Sequence, residues 1–286
     1  MAVFPNVDVF ALTDTGRLRK NNEDAVLSMP QRQCYVVSDG MGGGKAGEVA
    51  SAMMVQEIER AFAQAPKIPA EREGLVIRCA YRVNELIRDY AEDHKYPSMG
   101  ATFVCLLIDC WHPSMATVLH AGDSRVYRIR EYQIEQITED HTVAAASKMD
   151  EGKLAPMFRG VLTNALGTGA DFYLERDTLD VQEDDIYIIC SDGLSRMVSD
   201  ANINKVCEVL KNESSQVICQ ELIKTALDFG GRDNVSVIVV KINKLGEDYQ
   251  PTDEEFQLES EAQVRNLMDL SDTPPTEVIS AAELFK

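Results

Sequence analysis

The stretch CYVVSDGMGGGKAGEVA, Cys34 to Ala50, narrows the choice of fold more than any other part of the chain. A short apolar run, Cys34 to Ser38, ends on an acid, Asp39. Glycines at 40, 42, 43, 44 and 47 follow, and a helical pattern starts near Glu48. This places a carboxylate at the tip of a buried strand, beside backbone free to fold tightly, a setting that suits an oxygen-ligated metal. Two further acids have like settings: Asp192 ends IYIICSDG, and Asp233 opens DNVSVIVV. The repetition predicts that these three acids meet in space.

Around that stretch the apolar spacing predicts strands over Val7–Thr13, Ala25–Met29 and Cys34–Ser38, then helices over Glu48–Gln64 and Glu73–Asp93, with Pro66 and Pro69 between them. After Pro97 the period changes to that of strands: Ala101–Asp109, Ala116–Ala121, Arg125–Arg130 and Gln133–Ile137, joined by short turns as in an antiparallel meander. Thr142–Leu166 is mixed, with helical turns and a loop around Gly152–Pro156. Strands at Tyr173–Leu179 and Ile186–Ser191, helices at Asp200–Leu210 and Ser214–Phe229 with Asp200 and Ser214 as N-caps, and a final strand at Asn234–Ile242 complete the pattern. Helices in pairs and strands in runs define an α+β class. Two antiparallel β-sheets packed as a sandwich, with helix pairs on both outer faces (αββα, four layers), would use every element.

Composition sets limits on function. A net charge of −19 argues against a nucleic-acid partner. No run of 18 apolar residues is present, and the N-terminus lacks the basic start and apolar core of a signal peptide. Seven cysteines without a CxxC pair fit a reducing cytoplasm and small core side chains. The charge is uneven: from Glu247 to Lys286 there are 11 acids and 2 bases. We therefore expect a domain over residues 1–243 and an acidic tail over 244–286, disordered, weakly helical near Glu259–Leu270, or docking a partner. Thr273 and Thr276 in the tail are candidate phosphate acceptors.

Hard ions such as Mn²⁺ and Mg²⁺ want oxygen ligands, and two of them sharing a carboxylate can position a water for in-line attack on phosphorus. Asp39 is the natural bridging ligand, with the Gly40 carbonyl facing a second ion. Asp192 and Asp233 would complete the first ion's shell, and Glu23 and Asp24 could hold bound waters.

At this point the sequence resembles the metal-dependent protein serine/threonine phosphatases, the type 2C family, in compact bacterial form. The blocks that carry the resemblance are RKNNED (Arg19 to Asp24), DGMGG (Asp39 to Gly43), GAT (Gly100 to Thr102), AGDSRVY (Ala121 to Tyr127), EDHT (Glu139 to Thr142), CSDGLS (Cys190 to Ser195) and DNVSVIV (Asp233 to Val239). They run in order over nearly all of the chain before the tail. The resemblance implies hydrolysis of phosphoserine and phosphothreonine by a metal-bridging hydroxide, in a cleft at one end of a β-sandwich. It implies Asp39, Asp192, Asp233 and the Gly40 carbonyl as ligands to two Mn²⁺ or Mg²⁺ ions, and Glu23 as a ligand through water. Arg19 matches the phosphate-gripping arginine, a task its planar fork suits. Asp123 matches an acid at a possible third metal. It further implies phosphorylated proteins as substrates, a cognate Ser/Thr kinase, a cytoplasmic location and a monomer. Many eukaryotic members carry a histidine where Met41 stands, so leaving-group protonation has another source. His141 is one candidate, against a structural role. The acidic surface suggests basic phosphopeptides. A phosphatase-like binding module without turnover is the alternative, though the full set of acids speaks against it.

Three other motifs compete. Gly42, Gly44 and Gly47 spell GxGxxG, but a second helix follows where a dinucleotide fold needs a strand. Gly44-Lys45 suggests a P-loop, but Asp39 stands where glycine is required. Cys190 to Arg196 fits C-x5-R of cysteine-dependent phosphatases, yet Asp192 inside it would repel an anion, and Cys190 continues an apolar run.

Overall fold

The runs FVCLLI, IYIIC and VSVIVV lack the polar alternation of a half-exposed strand because both of their faces are covered. A computed structural model describes residues 5–65, 72–169 and 171–247. In chain order the described elements are β1 (Asn6–Asp14), β2 (Asp24–Met29), β3 (Cys34–Met41), α1 (Lys45–Gln64), α2 (Arg72–His94), β4 (Gly100–Ala101), β5 (Phe103–Ile108) and β6 (Met115–Ala121). There follow β7 (Arg125–Arg130), β8 (Gln133–Gln136), α3 (Val143–Ser147), β9 (Glu175–Asp180), β10 (Ile186–Cys190), α4 (Asp192–Ser195), α5 (Asp200–Val209), α6 (Ser215–Asp228) and β11 (Val235–Lys244). Among the described residues, one sheet has the order β1-β11-β10-β7-β8 and the other β2-β3-β5-β6-β9, with β4 paired to the tip of β3. Every strand pairing is antiparallel.

The layers follow from which way alternate side chains point. On β3, Tyr35 and Val37 join Val104, Leu106, Tyr187, Ile189, Ile238 and Val240 between the sheets. Cys34 and Val36 instead meet Met54, Ile58 and Val83 of α1 and α2. On the far side, Ile188, Val237 and Val239 pack against Ile203, Ile218 and Leu222 of α5 and α6. The four-layer αββα sandwich is therefore present.

Several local expectations need correction. The strands from Ala101 to Ile137 are not one meander: β5 and β6 pair in one sheet, β7 and β8 in the other, and the chain changes sheets at Gly122–Ser124. Asp192 does not end a strand. It opens the one-turn α4, after β10 stops at Cys190. Ser199, not Asp200, occupies the N-cap position of α5, and Asp200 accepts the Tyr127 hydroxyl at 3.0 Å. Ser214 does cap α6, accepting the Val217 N–H. Helix α1 starts at Lys45, three residues earlier than its apolar period suggests. Pro66, Pro69 and the acidic segment beyond residue 247 lie outside the described residues.

Candidate functional site

Antiparallel pairing brings the acids to one end of both sheets. Asp24 at the start of β2 is the register partner of Asp39 near the end of β3. In the other sheet the end of β10 lies beside the start of β11, where Ser191 N–H donates to the Ser236 carbonyl at 3.1 Å, so Asp192 and Asp233 follow and precede adjacent strands. Asp123 sits at the crossover between β6 and β7. Arg19, Glu23, Asp39, Gly40, Asp123, Asp192 and Asp233 all line one cleft of about 460 Å³. A larger cavity, about 670 Å³, opens at the opposite end of β7, β10 and β11 and lacks this convergence.

The glycines of the two SDG sequences serve close approach. A Cβ on Gly40 would stand 2.0 Å from the Gly47 carbonyl oxygen, and one on Gly193 would stand 1.8 Å from that of Asn234. Thr102 holds the Asp39 backbone from both sides: its hydroxyl accepts the Asp39 N–H at 2.9 Å, and its own N–H donates to the Asp39 carbonyl at 2.8 Å. Glu23 accepts the Gly44 N–H at 2.8 Å. Asp24 stands behind this row, where one carboxylate oxygen accepts the hydroxyls of Ser191 at 2.8 Å and Ser236 at 2.6 Å and so ties the two sheets together.

Sequence reasoning gave Asn234 no role. Its amide donates to the carbonyls of Thr15 and Asn21 at 2.8 and 2.9 Å, and its Oδ1 accepts the Glu23 N–H at 2.9 Å. It thereby clamps the loop carrying Arg19 onto the turn carrying Asp233. An asparagine directly after an acid in the turn GRDN was the available signal.

The charges explain what the cleft can hold. Burial, then the neighbouring Asp24, Asp192, Asp123 and Asp233, hold the Asp39 carboxyl well above the usual carboxylate range. Burial and Asp123 push Asp192 up to about 7, although Arg196 opposes them. Burial likewise raises Asp123 and Glu23. Two arginines offset part of this: Arg19 donates to Asp233 at 2.8 Å, and Arg196 bridges Asp192 at 2.8 Å and Asp123 at 2.9 Å. Asp192 Oδ1 is nevertheless buried without a hydrogen-bond partner. Carboxylates that raise one another's pKa, with an orphaned oxygen among them, fit a divalent cation, and an all-oxygen donor set fits Mn²⁺ or Mg²⁺.

The rival motifs fail on geometry. Cys190 points into the helix-side core, fully buried, with its thiol pushed up to about 12. Helix α1 is followed by α2, not by a strand. His141 does not line the cleft. Its Nδ1 accepts the Gly122 N–H at 3.2 Å and faces the Asn164 amide at 3.0 Å, while Nε2 meets Glu175 at 2.8 Å, so its role is structural. His141, His120 and Glu175 offer donor atoms within 4.8 Å of one another. The two imidazoles stack at 4.7 Å, however, and three of their four ring nitrogens already have protein partners, since His120 Nε2 meets the Glu139 carbonyl at 2.9 Å and both nitrogens of His141 are engaged.

Residues 17–228 match the family model described as Protein phosphatase 2C. The chain belongs to the protein phosphatase 2C family. The serine/threonine phosphatase Stp of Listeria innocua is 30% identical over 242 residues, covering 81% of this chain and 94% of its own. Among solved structures, PppA of Pseudomonas aeruginosa, described as a key regulatory component of T6SS, is 30% identical and superposes with a TM-score of 0.73 over 84% of this chain and 98% of its own. The catalytic domain of the serine/threonine phosphatase PstP, solved with two manganese ions, is also 30% identical, with a TM-score of 0.70 over 82% and 97%. No helix among the described residues is long and apolar enough to cross a membrane.

Proposed function

We propose that this protein is a metal-dependent phosphoprotein phosphatase that hydrolyses phosphoserine and phosphothreonine. The observation that carries the reading is that Asp39, Asp192 and Asp233, more than 150 residues apart at the extremes, line one cleft together with Arg19. In this reading Asp39, Asp192, Asp233 and the Gly40 carbonyl hold two Mn²⁺ or Mg²⁺ ions, Glu23 acts through a water, and Asp123 serves a third. Such ions, when bound, supply Lewis-acid chemistry: a lower pKa for water and charge compensation at the phosphoryl oxygens. Arg19, half-exposed at the rim, orients the phosphate with its guanidinium fork. Thr102 and Asn234 keep Asp39 and the Arg19 loop in place, so little reorganisation is needed as charge develops. No cysteine or histidine lines the cleft among the described residues, which supports direct attack by water without a phosphoenzyme.

The catalytic unit spans residues 1–243, and the acidic segment 244–286 lies outside it. We further place the enzyme in the cytoplasm as a monomer acting opposite a Ser/Thr kinase, in accord with seven buried, unbridged thiols. The test is p-nitrophenyl phosphate hydrolysis with Mn²⁺ before and after Asp39→Asn. Equal rates in the two proteins would favour a binding module that keeps the fold without turnover.

A further inference from the structure

A second groove, about 430 Å³, opens from the cleft beneath α3 and shares Asp123, Asp192 and Arg196 with it. Its floor and walls are built, not incidental. Helix α3 is capped at its start by the Thr142 hydroxyl, which accepts the Ala145 N–H at 3.2 Å, and at its end by Lys148 in the left-handed conformation, φ 52°. The segment that follows returns beside the chain at its root: Val143 N–H donates to Val161 at 2.9 Å and Thr163 N–H to His141 at 2.8 Å. The buried His141 imidazole holds that root against Gly122 and Glu175.

The charge balance of the groove is unlike that of the molecule. Three lining carboxylates face three lining cations, where the whole chain carries −19: Arg125 grips Asp140 through two nitrogens at 2.6 and 2.8 Å, and Arg196 is shared by Asp123 and Asp192. Lys148 is the remaining lining cation. It is exposed and has no carboxylate partner among the described residues. A divalent ion taken up by Asp192 would turn this neutral balance positive. Met149, 45% exposed, gives the same rim an apolar surface.

We propose that this groove binds the segment of the phosphoprotein substrate that flanks the phosphorylated residue, and that Lys148 selects an acidic side chain there. The inference rests on the phosphatase reading above. It runs against the expectation, drawn from overall charge, that basic phosphopeptides are favoured. At physiological ionic strength charges are screened over about 8 Å, so the cation at the groove outweighs the distant acidic surface.

The experiment compares phosphothreonine peptides carrying Glu, Ala or Lys at each of the two positions on either side of the phosphoresidue. The enzyme is the full chain with Mn²⁺, as wild type, Lys148→Glu and Lys148→Gln. Wild type should prefer Glu over Lys on one side by about fivefold in kcat/KM, mainly through KM, the size expected of one partly exposed ion pair. Lys148→Glu should invert that ratio and Lys148→Gln abolish it. A ratio taken within one variant cancels any change in the phosphate site. Fluorescence anisotropy with labelled, non-hydrolysable phosphonate peptides should show the same order in Kd. Ratios unchanged by both substitutions would overturn the inference while leaving the phosphatase reading intact. Absence of turnover on every peptide and on p-nitrophenyl phosphate would overturn the phosphatase reading instead.

Discussion

Asp39 shows how a single side chain can serve function against stability. Its carboxyl is crowded by four others and shifted well above its ordinary range, so an uncharged isostere should relieve the metal-free fold. Asp39→Asn is expected to lower p-nitrophenyl phosphate turnover by about 10³-fold, to raise the Tm of the chelated protein, and to remove the Tm rise that Mn²⁺ gives the wild type. Differential scanning fluorimetry and a steady-state assay check both halves. The same crowding sets a pH dependence. In the metal-free protein Asp24 titrates near about 6 and Asp192 near about 7, against 3.8 when unfolded. Folded values above unfolded ones mean that the stability due to protonation is complete below about pH 3.8 and is lost as pH rises through 6 to 7. The chelated protein should therefore lose Tm between pH 5 and 8, and saturating Mn²⁺ should flatten that loss. A Tm that rises with pH in EDTA would contradict the carboxylate cluster. Cys190 supplies a control: its thiol is buried and pushed up to about 12, so iodoacetamide should leave activity intact where a chelator abolishes it.

At the scale of elements, the site depends on how closely β3, α4 and β11 approach. A methyl group at Gly193 would stand 1.8 Å from the Asn234 carbonyl oxygen, so Gly193→Ala must push α4 from the start of β11. Overpacking of this kind costs about 1–3 kcal/mol, and it displaces Asp192 with the helix. The expected result is a lowered Tm together with weaker Mn²⁺ binding by calorimetry. Ile238, fully buried between the sheets, tests the scaffold separately. Ile238→Ala should cost about 2–5 kcal/mol in denaturant unfolding, and the metal-loaded folded fraction should keep its KM, because the side chain touches only the inter-sheet core. The Asn234 clamp joins these effects, since its three hydrogen bonds link the β11 turn to the loop before β2.

For the molecule as a whole, function gathers at one end of the sandwich, and the chain leaves the described residues near the other. The cleft lies where β10 ends and β11 begins, whereas Lys244 closes β11 at the opposite edge. A chain ending at Glu247 should therefore keep its p-nitrophenyl phosphate kcat within about twofold, because the described residues that line the cleft all fall between Arg19 and Asn234. A larger fall would assign the acidic segment a part in turnover. What the amino-acid order determined by itself was local and periodic. Runs buried on both faces, paired amphipathic helices and acids at strand ends were enough to read an αββα sandwich and to name Asp39, Asp192 and Asp233, since each signal sits within a few residues, whereas Arg19 entered only through the resemblance of RKNNED to the phosphatase family. Tertiary structure decided everything that depends on which strand lies beside which. The change of sheet between β6 and β7, the retreat of Asp24 behind the cleft, the Asn234 clamp and the pinning of His141 away from it all come from contacts across many tens of residues. Local spacing carries no record of such contacts, because backbone pairing and burial choose them only once the chain has closed.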